Sequence, residues 1–546
     1  MSELAANEDR SLSSRAYALI FLFYFSAMSI GAGQLRALTQ HEVFAAEPAR
    51  EMLHGATCVM QTFAGVPRYE KPPAISWLQA VSFAVFGIGE YQARLPSILA
   101  GAWMVLTIAG LTARLYGRKA GIIAGLMQAT VFYTVLQARL AESDMTMVAC
   151  VTTGMVALGW AWVVPGTSGR NRALLGWAFA ISAGSSCMIK PPAGVATMYL
   201  GALALAGLNR SREQLWWVLH PGRLALFAVI GSVWPVAAYL HDPMILQQWK
   251  MEAEYMTGQA VDQREPFWFY TWNVPMMAMP WVMFCIPLGV AAWRSGSWRG
   301  PIGRYVAAWM VPGFIVLSLA MNKHKHYCMP ILPPLTMLSA AGTVAYLRHQ
   351  YSQAPRFYGW AIGGWVGVLG AVIVGVLLRA KDHPENIAAV VGVLLVGGAV
   401  VLALEWRRRE GAQLAAFFAT AWGVIVGLNV LITPVFDNYG AYRSLAREMA
   451  GMVPAGKTTY TVGLGQSQVS FYLSLPQGRL SKMPATRPAE AIEYAVCAAG
   501  DAGELRRLIG GPCQELLRGG TPGSRPKAED VLVLLHFGPP PDASPR

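Results

Sequence analysis

Blocks of about 16–23 apolar residues recur along this chain, and each is long enough for a helix to cross a hydrocarbon layer of about 30 Å. Only 13% of the 546 residues are charged and 54% are hydrophobic, about half the charge of an ordinary soluble protein. That supply cannot cover a water-exposed surface over such a length. The blocks predict about 13 spans, near 16–33, 93–113, 120–137, 145–164, 173–187, 191–208, 224–240, 268–290, 305–320, 328–347, 357–378, 386–405 and 412–433. The first block, Tyr17 to Gly33, lacks a clean small-residue cleavage site and reads as an uncleaved anchor. The expected fold class is an α-helical polytopic membrane protein.

The arginines set an orientation. With the N-terminus in the cytoplasm, the inside segments hold Arg10 and Arg15; Arg114, Arg118 and Lys119; Arg170 and Arg172; and Arg210, Arg212 and Arg223. They continue with Arg294, Arg299 and Arg304; Arg348 and Arg356; and Arg407, Arg408 and Arg409. Every inside segment is basic, as the positive-inside rule requires. The net charge of +13 is then a topogenic signal, and no nucleic-acid partner is expected. An odd number of spans puts the C-terminus outside. The expected domains are a transmembrane part, 1–433, with an outer loop at 34–91, and a small soluble α/β part, 434–546.

Ionisable groups collect in the outside segments. The first loop carries His41-Glu42, an amphipathic stretch from Val43 to Leu53, and Tyr69-Glu70-Lys71-Pro72-Pro73. A further apolar stretch, Ile75 to Phe86, is too short to span and suits the membrane interface. Later segments read Gln137-Ala-Arg139-Leu-Ala-Glu142-Ser-Asp144 and Lys323-His324-Lys325-His326-Tyr327. Charges at membrane depth are costly, so where they persist they line sites. Each group also has a plain structural reading. Trp268, Phe269 and Tyr270 suit an interfacial aromatic belt, and Lys323 and Lys325 suit headgroup contacts. Arg139, Glu142 and Asp144 suit a solvated, salt-bridged turn. His324 and His326 are a weak metal signal; no metal site is assigned, and a divalent cation is left open as a cofactor. Spacing does not choose between these readings.

Two blocks in the first loop, Glu42-Val-Phe-Ala-Ala-Glu47-Pro-Ala-Arg50-Glu51-Met52-Leu53 and Gly65-Val-Pro67-Arg-Tyr69-Glu70-Lys71-Pro72-Pro73, resemble the first external loop of a known family. These are the membrane-embedded GT-C glycosyltransferases related to the lipid A aminoarabinose transferase and the protein O-mannosyltransferases. Tyr91-Gln-Ala-Arg94-Leu95-Pro96-Ser97, Gln137 to Met145, Lys190-Pro191-Pro192 and Lys325-His326-Tyr327 resemble later family segments, in family order. The resemblance implies a helical bundle with a periplasmic cavity at the inner membrane. There a sugar moves from a polyprenyl-phosphate (undecaprenyl-phosphate) carrier to an envelope acceptor, lipid A-like or protein. The implied catalytic residues are His41, Glu42 and Asp144; the implied donor-binding residues are Glu70, Lys71, Arg94, Arg139, Lys190, Lys325, His326 and Tyr327. Cations near the donor phosphate would make strong charge-assisted contacts. Membrane lipids are the surroundings, and a monomer is expected.

The chain departs from the family pattern at one position that matters. An aspartate of the family is His41 here, and an arginine three residues on is Phe44. Three readings stand: His41 acts as the base; Glu42 or Asp144 carries that role; or transfer is lost and a sugar-carrier binding protein remains. A transporter of lipid-linked sugars is a further alternative, although no internal repeat of the kind many transporters show is evident.

Beyond about Thr433 the composition changes. Thr458–Val462, Val469–Leu473 and Val531–Leu535 are expected as strands, and Pro488–Ala499 and Ala502–Ile509 as helices. Cys497 and Cys513 could form a disulfide outside the cytoplasm. The proline-rich tail, 539–546, is expected to be disordered.

Overall fold

Long apolar runs without internal charge leave the backbone one way to satisfy its polar groups in hydrocarbon, the helix, and the computed structural model is built mainly of helices. It describes residues 10–256, 265–320, 323–347, 375, 383–406, 410–437, 440–464, 467–473, 476–480, 482–488, 491–520 and 531–538. Among these, seven helices are long and apolar enough to cross a membrane, or ten if each of three bent pairs counts as one span. The expected span 357–378, the arginines 407–409 and the tail lie outside the described residues, apart from Gly375.

In chain order the first elements are α1 (Ser14–Ser29), α2 (Gln40–Met52), α3 (Ala74–Phe86) and α4 (Glu90–Tyr116). Then follow α5 (Arg118–Thr130), α6 (Phe132–Ala138), α7 (Ser143–Trp162), α8 (Gly169–Ile189), α9 (Ala193–Leu208), α10 (Arg212–Val218) and α11 (Pro221–His241). Three expected spans are broken. The pair α5 and α6 bends by 58°, Phe269–Met277 and Trp281–Arg294 by 94°, and Lys325–Ile331 and Pro333–Ala345 by 59°.

By internal contacts the chain forms two units. The first comprises Met1–Gly31, Glu70–Pro72 and Pro96–Val435; the second comprises Ala32–Tyr69, Pro73–Leu95 and Phe436–Arg546. In the first unit α7 and α8 form an antiparallel hairpin, and α8 also lies against α11. Small residues allow the close approach to α11: a Cβ on Gly184 would lie 2.7 Å from the Ile230 Cβ. At the end of α8, Lys190 leaves helical geometry (φ −157°, ψ 86°), as the residue before a proline must.

The second unit joins the first loop to the C-terminal segment. Its five-stranded sheet is ordered β4-β3-β5-β7-β6, with β3 (Thr459–Val462), β4 (Gln477–Leu480), β5 (Tyr494–Ala498), β6 (Cys513–Gly520) and β7 (Val531–Phe537). β3 pairs parallel with β4 and β5, and β7 pairs antiparallel with β5 and β6. A two-stranded hairpin, β1 (Thr62–Phe63) with β2 (Val66–Pro67), belongs to the loop. The sheet core gathers Val462, Ala495, Cys497, Leu505, Val533 and Leu535.

Two expectations need correction. Val469–Tyr472 is one turn of helix, not a strand. Tyr494–Ala498, expected as helix, is a strand buried at every position, because neighbours on both edges and cover on both faces erase the alternation that marks a half-exposed strand. Cys497 and Cys513 are both free thiols.

Both loop helices bury polar side chains. α2 buries Glu42, Glu47 and Glu51. α3 turns Ser76, Gln79 and Ser82 inward and exposes Leu78, Val81, Val85 and Phe86.

Candidate functional site

α2 opens with a capping box. The Thr39 hydroxyl accepts from the Glu42 N–H at 3.3 Å, and the Glu42 carboxylate accepts from the Thr39 N–H at 2.9 Å, which satisfies two otherwise orphaned donors. The same carboxylate holds Arg94, 1% exposed, through Nε at 2.7 Å and Nη2 at 3.1 Å, and Arg36 at 3.1 Å. The remaining N–H groups of Arg94 donate to the carbonyls of Ala32 (2.7 Å), Arg36 (3.0 Å) and Ala37 (3.1 Å). All five donors of that guanidinium are therefore engaged within the protein, and Arg94, a residue expected to hold the donor phosphate, has none left for it in this arrangement. Burial pushes the Glu42 carboxyl pKa up, but Arg94 and then Arg36 outweigh it and bring it to about 2. Glu42 is a buried, fully paired anion, whereas the neighbouring His41 is exposed, its ring edge-on to Phe44 at 5.4 Å.

The C-terminal segment grips the same stretch. The Ala37 N–H donates to Asp437 at 2.9 Å, the Leu38 N–H to the Tyr472 hydroxyl at 2.9 Å, and Arg443 to the Gln34 carbonyl at 2.8 Å. Arg443 and Arg447 both reach Glu90, at 3.3 and 3.0 Å. Arg50 forks onto Glu47 at 2.6 and 2.9 Å and donates to the carbonyls of Ser470 and Leu473.

In the first unit, the ends of three helical segments bring Asp144, Lys190 and His326 together. Asp144 sits in the first turn of α7, where the helix dipole favours a carboxylate. Its Oδ1 accepts from Lys190 Nζ at 2.8 Å and lies 3.9 Å from His326 Nε2. Lys190 Nζ is 3.5 Å from His326 Nε2 and 5.1 Å above the Tyr327 ring centroid. Burial works against the charge on Lys190, but Asp144 more than offsets it, and the ammonium pKa is raised. His324 stacks on His326 at 5.3 Å and meets Tyr327 edge-on. Glu70 and Lys71 belong to this unit too, and the charge of Lys71 acts on both Asp144 and His326. Lys71 and Lys325 are exposed.

Arg139 is placed elsewhere. It donates to the carbonyls of Met28 and Ile30, tying the end of α1 to the α6–α7 turn. Lys323 is buried on the carbonyls of Glu265 and Ala320. Among the described residues, no group of three or more His, Cys, Asp or Glu side chains could hold a metal ion. The belt reading of 268–270 divides: Trp268 is 59% exposed, while Tyr270 is fully buried and donates its hydroxyl to the His324 carbonyl at 2.9 Å. Tyr133, buried at 5% exposure and bonded to Gln137, was equally invisible to sequence reading, since nothing in its spacing distinguishes it from other bundle aromatics.

Residues 70–234 match the family model described as dolichyl-phosphate-mannose-protein mannosyltransferase. The chain also resembles, over 96% of its own length and 98% of the other chain, the crystal structure of ArnT from Cupriavidus metallidurans bound to undecaprenyl phosphate, with a TM-score of 0.77 at 18% identity. Its fold is that of the GT-C glycosyltransferases. The GT-C resemblance read from the loop blocks is thereby borne out. Among curated relatives, the undecaprenyl phosphate-alpha-4-amino-4-deoxy-L-arabinose arabinosyl transferase 2 of Proteus mirabilis is 25% identical over 394 residues, 70% of this chain and 65% of the relative. The corresponding transferase of Erwinia tasmaniensis is 27% identical over 342 residues, 59% of each chain. The matched region thus spans somewhat less than two thirds of either relative. The chain is a multi-pass membrane protein with a GT-C fold.

Proposed function

We propose that the chain is a glycosyltransferase that takes a sugar from an undecaprenyl-phosphate donor and passes it to a lipid A-like acceptor. The observation that carries this reading is the part-buried Asp144–Lys190 ion pair, with His326 and Tyr327 against it, set at helix ends of a GT-C fold. The relatives act, by name, with the same carrier. The acceptor oxygen attacks the anomeric carbon. The bond from that carbon to the phosphate oxygen breaks, and its electron pair leaves on undecaprenyl phosphate. The acceptor proton passes to a base. Charge on the departing phosphate needs preorganised cations, for which Lys71 and Lys325 are exposed and Lys190 is held by Asp144. Glu42 and Arg94 act by fixing the start of α2, and Arg139 by fixing the end of α1.

His41 is the accessible base candidate on α2. Its position in place of the family aspartate favours a second reading, a relative that binds the donor without transferring it. In the orientation proposed here the N-terminus is cytoplasmic, about 13 spans cross the membrane, and the second unit and the active site are periplasmic. The test is purified protein with radiolabelled undecaprenyl-phosphate sugars and envelope lipids. Label should move to lipid in the wild type and not in Lys190→Ala or Asp144→Asn. Donor binding without transfer in the wild type would select the second reading, and neither binding nor transfer would overturn both.

A further inference from the structure

Lys190 meets two acceptors at once. Its Nζ donates to Asp144 Oδ1 at 2.8 Å and stands 3.5 Å from His326 Nε2. An ammonium has only hydrogens to offer, so the ring nitrogen that faces it is the one without a proton. Asp144 Oδ1 lies 3.9 Å from the same Nε2, beyond hydrogen-bond reach, and makes no competing demand for a hydrogen there. The single ring hydrogen of a neutral imidazole is then assigned, from its partners, to Nδ1. Lys190 and Lys71 bring two cations to bear on this ring, with His324 beside them and Asp144 opposing. A second ring proton would add a further positive charge to that group.

The ring is held on its other sides as well. His324 stacks on it at 5.3 Å with 21° between the planes, and the Tyr327 ring stands nearly perpendicular at 4.7 Å. Tyr327 in turn lies 5.1 Å beneath Lys190 Nζ. The 3-10 turn Lys325–Ile331, which follows directly on His324, brings these three rings together. One edge of the imidazole is left. The His326 side chain is 27% exposed, and its Nδ1 has no partner among the described residues and is not enclosed. Lys190 therefore leaves the ring with an accessible N–H on the side away from the ion pair.

We infer that His326 serves transfer as a neutral hydrogen-bond donor, its Nδ1–H donating to the phosphate of the undecaprenyl-phosphate donor, and that Lys190 is the positioning residue that fixes this tautomer. The inference rests on the proposed transfer reading. His326 is then neither the base nor a cation. Its hydrogen bond strengthens as charge gathers on the departing phosphate, and the acceptor proton goes to another group.

Two substitutions separate the two ring nitrogens. His326→Asn sets an amide N–H where Nδ1–H stands, and His326→Gln sets one where Nε2 stands, against the Lys190 ammonium. With radiolabelled donor, His326→Gln and His326→Ala should each lower kcat about 10²-fold while KM changes less than threefold. His326→Asn should keep at least a fifth of the wild-type rate. Histidine nitrogen NMR of the isotope-labelled full chain in detergent needs no transfer. The signals lost in His326→Asn should be those of a protonated Nδ1 and a bare Nε2 at neutral pH, and Lys190→Met should let the proton move to Nε2. Adding undecaprenyl phosphate to the wild type should shift the Nδ1 signal and leave Nε2 bare. Those signals in a protein that transfers no sugar would fail the transfer reading and bear out the donor assignment. A wild-type ring protonated at Nε2 overturns the inference. So does an Nδ1 signal indifferent to undecaprenyl phosphate, or a His326→Gln variant as active as His326→Asn.

Discussion

Glu42→Gln should release the first loop while the membrane helices stay folded. The substitution leaves the Arg94 guanidinium, 1% exposed, facing carbonyls and an amide in place of a carboxylate. Removing one member of a buried ion pair costs about 3–5 kcal/mol, because the other charge stays buried without compensation. Titration leads to a similar figure. The Glu42 carboxyl sits near 2 against an ordinary 4.5, and a gap of that size is worth about 3 kcal/mol. Because the folded value is the lower one, this stabilisation is complete above the unfolded pKa near 4.5 and is lost as pH falls toward 2. Hydrogen exchange followed by mass spectrometry reads it directly. Peptides covering 32–52 should exchange roughly 10²–10³-fold faster in Glu42→Gln at neutral pH, with peptides from α7 and α8 unchanged. Wild-type protein taken toward pH 3 should move the same way after correction for intrinsic rates. If the 32–52 peptides of the variant exchange at the wild-type rate, Glu42 is not the anchor described here.

Gly65 holds φ +75°, and a Cβ there would lie 2.7 Å from the Gln477 carbonyl oxygen, so Gly65→Ala should destabilise the second unit by about 1–3 kcal/mol, measurable as faster exchange in 62–67. Asp144→Asn and Lys190→Ala should each abolish sugar transfer, and the double variant should be no worse than either single one, since the pair acts as one device; additive losses in a transfer assay would argue against that. His41→Ala should remove transfer but keep donor affinity if His41 is the base, while full activity in His41→Ala would move the base to Asp144. Orientation is best read at Cys58, an exposed thiol: a membrane-impermeant maleimide should label it in intact cells, and labelling only after lysis would reverse the topology. Cys497 is fully buried and would be silent in that experiment on either side.

How much of this was legible beforehand depends on whether the signal is local. Helices such as α7 and α8 announce themselves, because a span must be apolar along its whole length and basic residues mark the ends that stay inside. The strand Tyr494–Ala498 did not, since a fully buried strand flanked by alanines carries the same short apolar run as a buried helix. Arg94 and Arg139 are expected as phosphate partners from their charge and their place in blocks that resemble the family. Nothing in a sequence separates an arginine that meets a ligand from one that caps carbonyls, as these do. Asp144, Lys190 and His326 lie far apart in the chain, and spacing cannot express their convergence. Only the family resemblance put them side by side.

The second unit is assembled from the beginning and the end of the chain, with all of Pro96–Val435 between its halves. Residues 34–38 are held by Asp437, Arg443 and Tyr472, and these are made only after all of the spans between. During synthesis the first loop therefore waits, its buried glutamates exposed to water, until every span that follows has been made. A chain interrupted anywhere before about residue 472 would insert its helices yet leave the helix bearing His41 without its clasp. Synthesis past about residue 472 is thus the step that orders this loop.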